Sequence, residues 1–502
     1  MRKTWLFLGL FFAPSLFLFA QSTPRTITLA ECLSLALTNN LDLQIERYNP
    51  LLARYALSAA RGDYDPELRL RGDHSDSESG SRLLGGGFSV PGATSEEDSF
   101  SGGLGGLTPW GMTYDLSARA SETTGESFFL DTNNVIVSRP FSDSQSSVQI
   151  SAVQPLMKNF WVDATRVNIR TAKIGVQHSD LGLRFAIMNT VTDVELAYYN
   201  LSLARESVKV QEKAVELADR LVAENKRRVE VGAMAPLDEK QAESQAASSR
   251  ADLLQAQRLL AAAENELKRR LTADFTSLAN QELVPAETLK ADLQVFDLQN
   301  SWGRGMDGRP DLLQARLDVE AQGIRLKYDR NQLWPQLDVV GTYGYNGSGD
   351  EFDNSLEEVR ERERPFWSVG GVFSIPLGNR RARNNYRSGK ATFEQLVLSV
   401  KRLEQTILVQ IDDAIKLAKA SFERIKATRE SRGYAEAALE AEQKKLESGK
   451  STSFEVLRLQ RDLTAAREEE IRALTEYNRN LAQLSLAEAS TLQRLGLDLE
   501  IW

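Results

Sequence analysis

Few side chains in this sequence could do chemistry, and their spacing keeps them apart. The two histidines, His74 and His178, are distant from each other, and the single cysteine, Cys32, is distant from both. A structural metal site needs three or four closely patterned ligands, and a nucleophile needs a neighbouring base. Neither pattern occurs, so no catalytic residue, cofactor or metal ligand is assigned. Gly303, Gly305 and Gly308 have the spacing of a dinucleotide fingerprint, but those glycines cradle a phosphate only between a strand and a helix of a βαβ unit. No such unit surrounds them, and the segment reads as a linker between two halves of the chain. Two acids are better placed. Asp238 and Glu455 each follow a glycine turn and fall in the first turn of a helix, where a carboxylate offsets unpaired N–H groups; Thr452-x-x-Glu455 has the form of a capping box.

The element that must position them is a helix expected from Asp163 to Val229. Ile187, Val194, Leu201, Val208, Val215, Val222 and Val229 recur every seven residues, which keeps one stripe facing one neighbour. Leu196, Leu203, Val210 and Leu217 form a second stripe, roughly 200° round the helix. Opposed seams require neighbours on both sides, so such helices build a curved wall, and closing the wall gives an α-helical tube. A long two-stranded coiled coil is the simpler alternative.

Arg2 and Lys3, the apolar run Trp5 to Ala20, and the small residue before Gln21 have the order of a secretory signal over residues 1–20. Losing it takes the formal charge from −9 to −11. An acidic chain of this kind has no attraction for nucleic acid. No later stretch approaches the roughly 20 apolar residues of a spanning helix, so a membrane would have to be crossed by strands. Cys32 follows Glu31 rather than a small residue, which argues against a lipid anchor, and a lone cysteine forms no intrachain disulfide.

Thr28 to Leu37 reads as an amphipathic helix broken at Asn39-Asn40, and a second helix is expected from Leu41 to Gly62. After Pro66 the period changes to two, with Leu68 and Leu70 against Glu67, Arg69 and Arg71. Strands are expected over Phe100 to Leu107, Thr113 to Ala120 and around Val148 to Ser151, separated by polar loops at Ser75 to Asp98 and Ser121 to Ser144. Lys226 to Gly232 ends the long helix with basic residues and a glycine, and Pro236 starts a return helix running to about Leu271. The order then recurs. Lys444 to Gly449 lies over Arg227 to Gly232, Phe454-Glu455 over Leu237-Asp238, and Leu333 to Leu337 over Tyr64 to Leu68. Strands are expected at Gln336 to Tyr345 and Ser368 to Ile375, joined by a charged loop from Asn346 to Arg364. The chain therefore divides into a first repeat, 21–285, and a second, 286–502.

These residues resemble the TolC-like outer-membrane efflux and secretion channel family. Thr28-Leu-Ala-Glu-Cys-Leu-Ser-Leu-Ala-Leu-Thr-Asn-Asn40 is similar to its opening helix, with Leu41 where the family usually has proline. Arg309-Pro310-Asp311-Leu312 matches the start of its second repeat, Pro335-Gln336-Leu337 its helix-to-strand junction, and Ile375-Pro376-Leu377-Gly378 its strand-to-helix junction. Gly232 and Gly449 match its turn glycines. The resemblance implies an α+β membrane protein with two internal repeats per chain: a homotrimer whose outer-membrane β-barrel is continuous with a long periplasmic α-helical barrel. It also implies a periplasmic adaptor, an inner-membrane pump and outer-membrane lipid as partners. The implied function is passive export, either efflux or type I secretion. The rival reading is a periplasmic coiled-coil scaffold or adaptor without a membrane barrel.

Several positions acquire expected roles from that resemblance. Pro66, Pro155, Pro335 and Pro376 mark strand–helix junctions. The interval from Pro66 to Pro155 is more than twice that from Pro335 to Pro376, and the excess holds the strand pair around Trp110. Six strands per chain, 18 per trimer, are therefore expected against the family's usual four and 12. Asp238 and Glu455 become candidates for a gate at the periplasmic mouth, where three copies would make acidic rings of the kind that cation channels use. Arg458 stands one turn beyond Glu455 and opposes that charge. Gly232, Ala233 and Pro236, with Gly449, Lys450 and Ser451, are adaptor-contact candidates at the hairpin tips; ordinary solvated turns would look the same. Trp110, Phe128, Phe129, Trp161, Phe366 and Trp367 are candidates for an interfacial aromatic belt, with scattered loop aromatics as the alternative.

Overall fold

The computed structural model describes residues 24–83, 89–131 and 135–497, so the expected signal segment 1–20 falls outside the described residues. The helices used below are α1 (Leu29–Asn39), α2 (Leu41–Glu46), α3 (Tyr48–Arg61), α4 (Ala164–Glu230), α5 (Pro236–Leu271), α6 (Leu298–Gly308), α7 (Pro310–Asn331), α8 (Phe352–Glu361), α9 (Arg380–Glu447) and α10 (Ser453–Ala487). The main strands are β1 (Glu67–Glu78), β2 (Thr94–Leu107), β3 (Thr113–Leu130), β4 (Ile136–Pro155), β5 (Gln336–Gly349) and β6 (Arg364–Ser374). Two compact units result, and each draws on both halves of the sequence. One holds the described residues up to Arg47, Leu183–Pro310 and those from Glu404 onward; the other holds Tyr48–Gly182 and Asp311–Leu403.

The first unit is helical. Its largest core joins Cys32, Leu33, Ala36 and Leu37 of α1 to Ile187, Val191, Val194, Tyr198 and Leu201 of α4 and to Leu267 and Leu271 of α5. Asn40 explains the break after α1. Its backbone is extended, its Oδ1 accepts the Leu43 N–H at 3.0 Å as the cap of α2, and its Nδ2 donates to the Arg270 carbonyl at 3.1 Å.

The first seam of α4 is buried from Ile187 to Val208, whereas Val215, Val222 and Val229 are only half-buried. Nearer the tip the buried residues are Ala218, Leu221 and Asn225. Ala218 and Asn225 stand three residues after Val215 and Val222, next to the first seam on the helix surface. The residues of the second seam, Leu196, Leu203, Val210 and Leu217, are only half-buried in the single chain.

Gly303, Gly305 and Gly308 fall inside α6, a helix where a linker was expected. A Cβ on Gly305 would stand 2.5 Å from Ile411 Cδ1, so this glycine permits close helix packing rather than phosphate binding.

Cys32 is fully buried in this core, and burial, reinforced by Glu31 and Glu287, pushes its thiol up to about 12. Only the thiolate reacts with alkylating reagents. In the folded protein at neutral pH maleimide should therefore leave Cys32 unmodified, and denaturant should make it react quickly. Rapid labelling without denaturant would show that the core opens.

The second unit carries a sheet in which β1 to β6 lie side by side in chain order, every neighbouring pair antiparallel. The strand pair around Trp110 lies within this sheet as β2 and β3. Polar stretches expected as loops are largely strand: β1 reaches Glu78, β2 starts at Thr94, β3 runs to Leu130 and β4 starts at Ile136. Alternating hydrophobicity reports a strand only where one face is apolar, and with both faces polar the ladder continues without that signal. The charged loop after β5 holds a further unexpected element, α8. Phe352, Leu356 and Val359 do have helical spacing, but five intervening charged and polar residues obscure it.

Pro66 and Pro335 immediately precede β1 and β5, Pro155 is the last residue of β4, and Pro376 lies two residues beyond β6. A residue without an N–H suits the end of a ladder.

Candidate functional site: helical tips and sheet faces

Both hairpin tips turn in the same way. The Ala233 N–H donates to the Arg228 carbonyl and the Gly232 N–H to the Val229 carbonyl, at 2.8 and 2.9 Å; Lys450 to Lys445 and Gly449 to Leu446 repeat this at 2.8 and 3.1 Å. This is a Schellman closure, which needs a left-handed residue after the helix. Gly232 and Gly449 supply it with φ of 74° and 72°, and nothing crowds either position, so backbone conformation alone demands glycine.

The two tips are bound to each other by groups that periodicity did not single out. Arg228 Nη1 donates to the Leu446 carbonyl at 3.1 Å. Asn225, fully buried, accepts from Ser453 Oγ at 2.9 Å and donates to the Asp238 carbonyl at 3.3 Å. An asparagine amid an otherwise aliphatic helix face was the available signal. Leu221, Leu439, Leu446, Val456, Leu457 and Leu463 form the core beneath, with Met234 against it. Outside that core, Val231, Leu237 and Phe454 are 78%, 66% and 51% exposed.

Asp238 and Glu455 are both partly exposed. The Glu455 N–H donates to Thr452 Oγ1 at 3.5 Å, while its carboxylate accepts from Arg458 Nε and Nη2 at 3.0 and 2.8 Å. Capping is therefore weak on this side, and Arg458 offsets the Glu455 charge. α5 has Ala235 as its N-cap, which offers no side-chain bond, and Pro236 as its first residue. Ser451 Oγ donates to Glu442, which also pairs with Lys445 at 2.9 Å; the Ser451 bond is the main cause holding the Glu442 carboxyl below its ordinary range.

The sheet sorts its side chains by face. One row across it reads Leu68, Leu104, Leu116, Ile150, Tyr343 and Trp367, and the next Leu70, Gly102, Ala118, Val148, Tyr345 and Pro365. Val339, Val369 and Phe373 extend this face, and nearly all its large apolar side chains are exposed. The opposite face carries Arg69, Asp115, Ser117, Arg119 and Gln149, with Arg69 paired to Asp115 and Arg119 to Glu97. An apolar surface of that extent must be covered. The two outermost strands, β1 and β6, each leave one edge unpaired within the sheet.

The aromatic candidates do not share one level. Trp110 and Trp161 belong to the same end of the sheet, where Arg166 lies 5.7 Å over the Trp161 ring and donates to the Pro109 and Phe160 carbonyls, both at 2.8 Å. Trp367 lies mid-strand on the apolar face, and Phe366 points to the other face. Phe128 and Phe129 pair with Ser138 and Val137 beyond the acid-bearing stretch of β3. At about 3.4 Å per residue that is roughly 34 Å past Ala118, too far for the same belt. His74 Nδ1 lies 2.8 Å from Asp98, and His178 contacts Gln314; the structure does not bring them together.

Comparison with known proteins decides the family. The family model for outer membrane efflux proteins matches residues 113–272 and 306–489. The chain belongs to the outer membrane efflux protein family. A curated relative, outer membrane efflux protein BepC of Brucella suis biovar 1 (strain 1330), is 24% identical over 340 residues, covering 66% of this chain and 70% of its own. Among solved structures, the outer-membrane channel OprN superposes with a TM-score of 0.68 at 15% identity, covering 92% of this chain and 90% of that one. The Campylobacter jejuni outer membrane channel CmeC gives 0.66 at 14%, covering 94% and 90%. At these identities the structural likeness establishes the TolC-like fold.

This outer membrane efflux protein is therefore a transport protein of the outer membrane. Among its described residues no helix is long and apolar enough to cross a bilayer. β3 and β4, with 18 and 20 residues, exceed the roughly 9–11 that a tilted strand needs.

Proposed function

We propose that this efflux protein is the passive outer-membrane exit duct of a tripartite pump or type I secretion system and performs no enzymatic step. Three copies close their sheets into an 18-stranded barrel, and their helical hairpins assemble into a periplasmic tube. The observation that carries this reading is the sheet itself. Because six strands alternate in direction, β1 and β6 run oppositely, so the next copy's β1 continues the antiparallel pattern on the free edge of β6. In lipid an open edge would leave backbone polar groups unsatisfied, and closure removes it. With the apolar face outward, the polar face lines a wet channel.

The exposed tip residues suit an adaptor linked to an inner-membrane pump, and membership in an outer membrane efflux family favours this reading over the periplasmic scaffold. Deleting the gene should sensitise cells to a subset of a toxic-compound panel, and the full-length protein should restore resistance. Unchanged sensitivity together with a secretion defect would move the assignment to type I secretion.

Asp238 and Glu455 remain the gate candidates. Since Arg458 offsets Glu455, Asp238 should carry more of any cation preference. In planar bilayers Asp238→Asn should reduce cation over anion selectivity, Glu455→Gln should change it less, and Arg458→Ala should raise it. Identical reversal potentials in all three would remove the gate role.

A further inference from the structure

α8 rests on a platform shaped for it. Beyond Val148 and Tyr345 the apolar face of β4 and β5 continues as Ser146, Ser144, Gly347 and Gly349, all small. A Cβ on Gly347 would lie 2.0 Å from the Ser355 carbonyl oxygen, and one on Gly349 would lie 2.7 Å from Asn354 Cβ. Ser146 Oγ donates to the Ser355 carbonyl at 2.5 Å, and the Ser144 and Ser355 hydroxyls are 3.3 Å apart. Glu358 fixes the second turn, accepting from the Ser348 N–H at 2.9 Å and from Arg364 at 3.0 Å.

The helix is thereby held on the apolar face. It is not on the polar face that would line a channel. Phe352 meets Phe100 with ring centroids 6.2 Å apart. Leu356 and Val359 look across a cleft of about 570 Å³ at Leu70, Gly102, Ala118 and Val148.

We propose that this cleft binds an acyl chain of a membrane lipid, with α8 as a brace on the outside of the barrel. The proposal rests on the barrel reading, since only then does bilayer cover this face. Hydrocarbon is the fitting occupant because the lining is mostly apolar, with Arg71, Arg119, Ser101, Ser146 and Ser147 supplying only its small polar part, and the cleft opens directly onto the lipid-facing rows. The charged side of α8, with Asp353, Glu357 and Glu361, is predominantly acidic and offers an anionic headgroup little.

The test uses the full-length trimer in phosphatidylcholine vesicles brominated along one acyl chain, with Cys32 silent in its core. A fluorophore on Leu356→Cys should be quenched as strongly as one on Ile150→Cys in the apolar band, and one on Glu357→Cys should not. Filling the cleft with Ala118→Leu should lower quenching at position 356 and leave position 150 unchanged. Quenching at 150 with none at 356, or no effect of Ala118→Leu, overturns the lipid site while the barrel stands. No quenching at 150 overturns the barrel reading itself.

Discussion

Ile150→Arg is expected to abolish recovery of the trimer from the outer membrane, while Gln149→Arg, one residue away, leaves it intact. Ile150 lies in the middle of the apolar rows and is half exposed in a single chain; Gln149 points to the opposite face. An arginine on the lipid side of a barrel costs about 2–4 kcal/mol at the midplane, so in the proposed trimer, where three copies insert together, the assembly loses roughly 6–12 kcal/mol. That is comparable with the whole stability of an ordinary domain. A lumen-side arginine stays in water beside residues such as Arg69 and Asp115 and costs little. Membrane fractionation followed by gels with and without heating, which distinguish trimer from monomer, reads both outcomes. Equal recovery of the two variants would mean that the sheet is not lipid-covered on the face assigned here.

The contrast between those neighbouring residues also shows what the sequence could disclose. Where one face of a strand is apolar, as at Leu116, Ala118, Val148 and Ile150, alternation located the strands, and their meander followed from short turns such as Thr108 to Gly111. Where both faces are polar, as from Ser121 to Ser127, or the apolar residues come in unalternating pairs such as Phe128-Phe129 and Ile136-Val137, no period survives and the strands were hidden. The long helices were legible almost to the residue, because Gly232, Pro236 and Gly449 punctuate them and two apolar seams run along α4. Which residues of α4 are buried at which height was not legible, because that depends on neighbours far away in the chain. At the tips the glycines announced themselves, but the Asn225–Ser453 bond and the Arg228–Leu446 bond did not, since polar residues on a helix carry no label for their partner. The α8 platform was missed for a related reason: Ser144, Ser146, Gly347 and Gly349 read as loop composition until the helix they accommodate is seen.

Those tips set the second large expectation. Leu237→Asp with Phe454→Asp should reduce resistance to that of the deletion strain, with a normal amount of heat-dissociable trimer in the outer membrane. Both side chains are mostly solvent-exposed and lie outside the core formed by Leu221, Leu446, Val456 and Leu457, so their loss leaves the hairpins folded. Exposed apolar side chains at a helix end contribute nothing to the single chain but about 1.5–3 kcal/mol each when a partner buries them. Replacing two of them with carboxylates removes that gain and adds the desolvation of charge. At about 1.4 kcal/mol per factor of ten, the affinity of the proposed adaptor falls by at least two orders of magnitude, and three copies in the proposed trimer compound the loss. The control is Lys450→Ala, which alters the tip's charge but not its apolar surface and should leave most resistance in place. Full resistance in the double variant, with the trimer present, would show that the pump engages the duct elsewhere, and the opposite flanks of α4 and α9 would then be the surfaces to test.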